Sequence, residues 1–150
     1  MKPFGGAIVP QGALIRVRLH RGPGHAPIEG PALIDTGAPV NLVAAACVPQ
    51  GAAPIYSTVV QGIGAGQPTT LIGYDMLLEF LDAQPPLAMV LRAPSGQLVP
   101  SNFLYASSDI VPPLVALIGR QMLSNFTMTW DGPGGVCMLV PCPSRNLAAP

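Results

Sequence analysis

Short apolar stretches separated by glycine and proline recur along this chain and predict strands joined by turns. From Ala13 to His20 apolar residues alternate with arginine and histidine, which is the period of a strand with one buried face. The apolar segment Ile28–Asp35 predicts the return strand after a turn at Arg21–Gly24. The remaining predicted strands lie at about 56–61, 69–81, 87–92, 97–105 and 114–118, and in a hairpin of Phe126–Trp130 with Val136–Val140.

Three segments depart from this strand pattern. Asn41–Val48 is a short apolar or helical piece that ends at Pro49. Ala93–Gly96 contains proline, serine and glycine, and therefore predicts a turn. Arg120–Asn125 predicts the one clear helix, which is only a turn or two long.

The composition fits a single β domain. The chain has 150 residues with 17 glycines and 19 prolines, and only 9% of its residues are charged. These proportions favour short strands and many turns over long helices. We therefore expect an all-β single domain over residues 1–150, with a core at about 14–140 that includes Phe126 and Trp130, and a tail at 141–150.

The charge pattern bears on the partners of the protein. The net charge is zero, the pI is about 6.7, and the basic residues are scattered. Without a basic patch, neither nucleic acid nor a membrane is an expected partner, whereas the low charge leaves apolar surface that a dimer could bury. No apolar run approaches the roughly 18 residues of a membrane span, and the first residues lack a secretory signal. We expect a soluble protein, with the cytoplasm favoured.

The cysteines do not suggest a metal site. Cys47, Cys137 and Cys142 are an odd number without a CxxC pair. We expect them to be reduced and partly buried, which also favours the cytoplasm, and a Cys137–Cys142 disulfide is the alternative. No histidine stands near them at the spacing of metal ligands. We expect neither a metal nor an organic cofactor.

Asp35-Thr36-Gly37 is the candidate for chemistry. It follows the apolar residues Pro31–Ile34, so the carboxylate stands at the end of a predicted strand, where a rigid sheet can position it. A carboxylate on a tight turn, with a hydroxyl beside it, suits acid–base chemistry on a peptide carbonyl. Taken alone, the tripeptide fits an ordinary β-turn better than a catalytic site, because Asp and Gly favour turns.

Two further motifs follow it along the chain. A glycine-rich segment at 59–67 leads into a long apolar strand, and the apolar strand Leu114–Ile118 is followed by Gly119-Arg120 and a short amphipathic stretch. An Asp-Thr-Gly loop, a glycine-rich flap and an apolar strand with Gly-Arg, in this order, resemble the retroviral-type aspartic proteases, the retropepsins. The resemblance spans about Leu14 to Asp131. It implies a retropepsin-like closed β-barrel with one short helix, assembled as a two-fold homodimer.

The resemblance also implies roles for particular residues. Two copies of Asp35, one from each subunit, would share a proton and activate a water that attacks the peptide bond. Such a site belongs to an aspartic endopeptidase that cleaves an extended peptide or protein substrate. The residues that the resemblance places at the site are the catalytic Asp35, Thr36 and Gly37, the substrate-binding Ala38, Gly62, Ile63, Gly64 and Ala65, and the supporting Gly119 and Arg120.

Ala38 departs from the pepsin-like pattern, and Pro39 and Gln121 depart from the retropepsin pattern. Ala38 lacks the hydroxyl that pepsin-like enzymes often carry there to stabilise the ionised carboxylate, so we predict optimal activity at roughly pH 5–6 rather than pH 2. Pro39 replaces an acidic residue that binds the substrate backbone and pairs with the arginine of Gly-Arg, and Gln121 replaces Asp or Asn. We expect altered specificity from these changes.

The alternative function is a non-catalytic peptide-binding or dimerisation module on the same fold.

Overall fold

The computed structural model describes residues 1–9, 12–60, 68–96 and 113–143, and these are mostly strand. No helix in these ranges is long and apolar enough to cross a membrane. The elements are β1 (Phe4–Val9), β2 (Gly12–His20), β3 (Ile28–Ile34), β4 (Leu42–Ala44), a 3-10 turn (Ala45–Cys47), β5 (Tyr56–Val60), β6 (Thr69–Phe80), β7 (Leu87–Gly96), β8 (Ala116–Ile118), α1 (Arg120–Leu123), β9 (Phe126–Asp131) and β10 (Val136–Pro141).

Six of the strands form a closed barrel. They are hydrogen-bonded in the order β6-β7-β4-β8-β3-β2, and β2 pairs with β6 to close the ring. This closing pair is antiparallel and runs from Val17 opposite Phe80 to His20 opposite Leu77. The prediction of an all-β barrel with a short helix is therefore confirmed. The two-fold dimer and the relation to retropepsins stay predictions.

One strand, β6, belongs both to the barrel and to a hairpin beyond it. Its first residues pair with β5, from Thr69 opposite Val60 to Gly73 opposite Tyr56. Its later residues, from Gly73 to Phe80, pair with β7, and the last of them also pair with β2. The strand therefore forms barrel wall at one end and hairpin at the other.

The alternation predicted for β2 gives the barrel its core. Ala13, Ile15, Val17 and Leu19 are all buried, while Arg16 is exposed. Because successive side chains of a strand point to opposite faces, one whole face of β2 packs inside the barrel. This part of the sequence prediction is confirmed.

β1 is a strand that the apolar pattern did not predict. Its residues from Phe4 to Ala7 pair with β10, which in turn pairs with β9. The buried Phe4 ring lies 5.2 Å from the Phe80 ring and 6.0 Å from the Phe126 ring, measured between centroids. Two glycines follow Phe4 and weaken the local strand signal. Packing of the three rings supplies stabilisation that the local sequence does not reveal.

The predicted C-terminal hairpin is present as β9 and β10. Phe126 is buried as expected, but Trp130 is 47% exposed, so the prediction that it lies in the core was wrong. Within the described residues β9 is the last strand of its sheet. The last three residues of β9, Thr129–Asp131, are all exposed and lie next to the turn that leads to β10.

The turn predicted at Ala93–Gly96 was also wrong. β7 continues through this segment, and Ser95 lies opposite Val43 in a parallel pair with β4. A long-range strand partner outweighs a local turn preference, because strand formation depends more on context than on composition. The strand predicted at 97–105 lies outside the described residues.

All three cysteines are free thiols. Cys47 and Cys137 are buried, and Cys142 is partly exposed. Burial raises the pKa of the Cys47 and Cys137 thiols above its usual value. No disulfide joins Cys137 and Cys142 in the structure, so it does not contain the alternative pairing.

Candidate active site

Asp35 lies where two parallel strands of the barrel end together. β3 and β8 pair in parallel up to Ile34 opposite Ile118, and the N–H group of Asp35 donates to the carbonyl oxygen of Ile118 at 3.0 Å. Asp35 itself is half-buried, while the following Thr36 and Gly37 are exposed. The barrel thus fixes the backbone of the candidate catalytic residue and leaves the tip of its turn at the surface.

The segment Asp35–Val40, called the Asp35 loop below, curls back onto the carboxylate. Asp35 Oδ1 accepts hydrogen bonds from the N–H groups of Gly37 at 2.8 Å and Ala38 at 3.3 Å. The same two peptide units therefore set the orientation of the carboxylate plane. Both bonds reach Oδ1, and no donor among the described residues bonds Oδ2.

Arg120 connects α1 to this loop. Its Nη1 atom donates to the carbonyl oxygens of Thr36 at 3.0 Å and Gly37 at 3.2 Å. The backbone N–H of Arg120 donates to the Ala38 carbonyl at 2.9 Å, and that of Gln121 to the carbonyl of the next loop residue, Pro39, at 3.2 Å. An N-terminal turn of helix has N–H groups without partners inside the helix, and here the loop accepts two of them. Backbone carbonyls thus partner the guanidinium where Pro39 offers no carboxylate.

Gly119 lets the helix approach the loop this closely. A Cβ atom at this buried position would lie 2.1 Å from the Val40 carbonyl oxygen and 2.8 Å from that of Ala38. Both contacts are to backbone, which cannot move aside as a flexible side chain can. The structure therefore brings the predicted supporting residues Gly119 and Arg120 into contact with the loop that carries Asp35, Thr36, Gly37 and Ala38.

Asn41 is a supporting residue that sequence reasoning missed. The piece predicted at Asn41–Val48 forms β4 and the 3-10 turn, and Asn41 stands just before β4 with 2% of its surface exposed. Its Oδ1 atom accepts from the Gly119 N–H at 3.0 Å, and its Nδ2 atom donates to the Arg92 carbonyl at 3.2 Å. An amide within an apolar run was the available signal, because a buried polar side chain needs hydrogen-bond partners.

The other described carboxylates are engaged away from this loop. Arg18 binds both Glu29 and Glu79, and Arg92 binds Asp75. A hydrogen bond from His20, together with Arg18, lowers the pKa of Glu79. Of the remaining two, Asp82 binds Arg16, and Asp131 accepts a hydrogen bond from the Gly134 N–H.

The predicted flap residues Gly62, Ile63, Gly64 and Ala65 lie outside the described residues. The strands that lead to and from them, β5 and β6, pair as the flap prediction requires. Val59 and Ile72 lie on one face of this pair and are 65% and 41% exposed. Counting by twos along β6, Ile72 shares its face with the buried core residue Met76. Ser57 lies opposite Ile72 and Thr70 opposite Val59, so this exposed face of the hairpin is mixed, and along β6 it continues into the interior face of the barrel.

The chain was compared with models of protein families and with curated proteins. No protein-family model matches the chain, and no curated protein matches it significantly.

Proposed function

We propose that this chain is an aspartic endopeptidase of the retropepsin type and that it acts as a homodimer. The observation that carries the proposal is the geometry of the Asp35 turn. Its carboxylate accepts two loop N–H groups on Oδ1 at the end of a barrel strand, and Arg120 holds the backbone of the same turn. A positioned carboxylate with one oxygen available suits activation of a water molecule.

The second carboxylate is the Asp35 of another copy. Asp75, Asp82, Glu29 and Glu79 are already bound by arginines among the described residues. The exposed tip of the Asp35 loop, Thr36 and Gly37, is accessible to a second chain. Asp109 lies outside the described residues, and no Thr-Gly follows it in the sequence. A two-fold axis that passes beside this loop would bring the two copies of Asp35 together.

Two facing carboxylates share one proton, because like charges about 3 Å apart cannot both be ionised. The ionised Asp35 takes a proton from the water as the water oxygen bonds to the scissile carbonyl carbon. The protonated Asp35 gives its proton to the carbonyl oxygen, and a gem-diol results. The Asp35 that took the water proton then donates it to the scissile nitrogen, and the C–N bond breaks. The gem-diol gives a hydroxyl proton to the other Asp35 as it becomes the product acid, which restores the starting pair.

The substrate is an extended peptide with apolar side chains. Val59 and Ile72 are exposed apolar residues on one face of the hairpin, which suits apolar side chains at alternate positions of a bound strand. Ala38, which is packed against the core close to Asp35, forms part of the surface beneath the bound peptide. By the resemblance, Gly62, Ile63, Gly64 and Ala65 close over the substrate and exclude water.

The test is cleavage of a peptide library at about pH 4–7 by concentrated protein, with the dimer measured by sedimentation. Wild type is compared with Asp35→Asn, and Asp82→Asn is the matched control because it removes an exposed carboxylate that pairs with Arg16 away from the Asp35 loop. Cleavage that survives in Asp82→Asn, is lost in Asp35→Asn and is inhibited by pepstatin-like transition-state analogues supports the proposal. A dimer that cleaves nothing would support the binding module instead.

A further inference from the structure

We propose that Asn41 is a positioning residue that sets the placement of the Asp35 carboxylate through Gly119 and Arg120. The inference deepens the proposed function and rests on it for its catalytic consequence. Its structural part, that Asn41 holds the Asp35 loop in place, can be tested without any activity.

The first step is the pair of hydrogen bonds that Asn41 makes. It is the one buried polar or charged side chain among the described residues, at 2% exposure. Its amide oxygen accepts from Gly119, between β8 and α1, and its amide nitrogen donates to Arg92 on β7. Asn41 directly follows the Asp35 loop, so its side chain joins the end of this loop to β7 and to the segment between β8 and α1.

The second step leads from Gly119 to the loop. Gly119 directly precedes Arg120, whose guanidinium binds the Thr36 and Gly37 carbonyls and whose N–H binds the Ala38 carbonyl. A shift of Gly119 would therefore move both sets of donors together. Because Asp35 Oδ1 is itself held by the N–H groups of this loop, its orientation depends on where Arg120 lies.

The third step concerns the hydrogen-bonding groups that a side chain at position 41 must supply. An asparagine amide supplies an acceptor oxygen and a donor NH2 group, which match the Gly119 N–H and the Arg92 carbonyl. An apolar replacement leaves both backbone groups without those bonds in a buried site, and the loss of such partners costs more than a bond gains. A cleft between β7 and α1, lined in part by Met89 and Met122, borders Asn41 and offers room for a slightly larger side chain.

The experiment compares Asn41→Leu with the matched control Asn125→Leu. Asn125 lines the same cleft but bonds the Met122 carbonyl, at 3.0 Å, and not the loop. Amide hydrogen exchange is measured by NMR, with the Leu139 amide in β10 as the reference for global opening. We expect exchange at Gly119 and Ala38 to rise about ten-fold relative to Leu139 in Asn41→Leu and to stay unchanged in the control.

Steady-state kinetics give the catalytic readout. Well below the melting temperature, Asn41→Leu should lower kcat by about ten-fold or more with little change in KM, because the carboxylate is misoriented while the substrate groove is intact. The Asn125→Leu control should keep wild-type kcat. If Asn41→Leu does not fold, Asn41→Ser replaces it, because its shorter side chain cannot reach both partners and the same changes are expected.

Two outcomes would overturn the inference. One is loop exchange that rises only in proportion to Leu139, and the other is a loss of kcat equal in Asn41→Leu and Asn125→Leu. If wild type cleaves no peptide, the proposed function has failed, and the exchange measurement still decides whether Asn41 positions the loop.

Discussion

Arg120 holds the backbone of Thr36, since its Nη1 atom donates to the Thr36 carbonyl oxygen at 3.0 Å. The same nitrogen reaches the Gly37 carbonyl at 3.2 Å, so one guanidinium spans the tip of the turn. The arginine is exposed to solvent, where hydrogen bonds exchange readily with water. Its main effect is therefore on the position of the turn rather than on the stability of the barrel.

Arg120→Ala should reduce catalysis more than stability. We expect kcat/KM to fall by about ten-fold or more, since misplaced catalytic groups are costly, with a loss of only about 1 kcal/mol in the free energy of unfolding. Arg21→Ala is the control, because Arg21 also donates to a backbone carbonyl, that of Ala26, in another loop. Kinetics and urea unfolding measure both variants. Equal losses of kcat/KM in the two would contradict the prediction.

Gly119→Ala should destabilise the fold strongly. The added Cβ would meet the Val40 and Ala38 carbonyl oxygens at 2.1 and 2.8 Å, and overpacking against backbone costs about 3 kcal/mol. Gly132→Ala is the control, because a Cβ there meets nothing within 4 Å, and its effect should stay within about 0.5 kcal/mol. Chemical denaturation compares the two. A Gly119→Ala protein as stable as Gly132→Ala would show that the close approach of helix and loop is not required.

Stability should depend on pH through Asp75. Arg92 donates to Asp75 Oδ1 at 2.9 Å and Oδ2 at 2.7 Å, which lowers the pKa of that carboxyl below its ordinary value of 3.8. Because the folded-state pKa is the lower one, the contribution is present above about pH 4 and is lost as the pH falls through the folded-state pKa. Wild type should be more stable than Asp75→Asn at neutral pH, and the difference should vanish in acid.

Asp82→Asn controls for the Asp75 measurement. The Arg16–Asp82 pair is 3.3 Å long, with side chains 70% and 40% exposed, and such pairs contribute little. We expect this variant to stay within about 0.5 kcal/mol of wild type at neutral pH. Urea unfolding between about pH 2 and 7 gives both curves. An Asp75→Asn deficit that is the same at both ends of this range would refute the assignment to the ion pair.

The three cysteines should react with alkylating reagents in a fixed order. The thiolate is the reactive form, and burial both raises the pKa of Cys47 and Cys137 and blocks access to them. Cys142 is partly exposed and should be labelled first, whereas Cys47 and Cys137 should be labelled only after the protein unfolds. Peptide mapping after brief iodoacetamide treatment, with and without urea, reads the order. Early labelling of Cys137 would contradict the burial of its side chain in β10.

Ala38→Ser should move the activity optimum to lower pH. The residue follows the turn and donates its N–H to Asp35 Oδ1, so a hydroxyl at this position lies close to the carboxylate. A hydroxyl donor favours the ionised form, and the ionised and protonated pair then persists into more acidic solution. A pH profile of kcat/KM measures the shift, with Ala52→Ser as a control remote from the loop in sequence. An optimum that stays at roughly pH 5–6 in Ala38→Ser would exclude the hydroxyl effect.

The strands with regular alternation could be predicted from the sequence because their periodicity reports one buried face. β2 is such a case, and its inward residues Ala13, Ile15, Val17 and Leu19 are buried. β1 and the end of β7 could not be predicted, because each depends on a partner far away in the chain. Local composition indicates residues that favour turns, but it does not reveal a distant strand that pairs with the same segment.

The site was only partly predictable for a similar reason. The Asp-Thr-Gly turn and Gly119-Arg120 carry recognisable sequence patterns, and the structure brings them into contact. Asn41 carries no pattern, since its function comes from two backbone groups contributed by distant segments. Trp130 misled because a large aromatic residue is ordinarily buried, whereas here it lies among the exposed last residues of β9, Thr129–Asp131.

β6 changes its pairing partner near Gly73, where β5 gives way to β7. Its barrel end lies between β7 and β2, and Asp75, just past the change of partner, is bound by Arg92. If the hairpin binds peptide as proposed, a substitution at Asp75 would change peptide preference through the base of the hairpin, at a residue that makes no hydrogen bond to the Asp35 loop among the described residues.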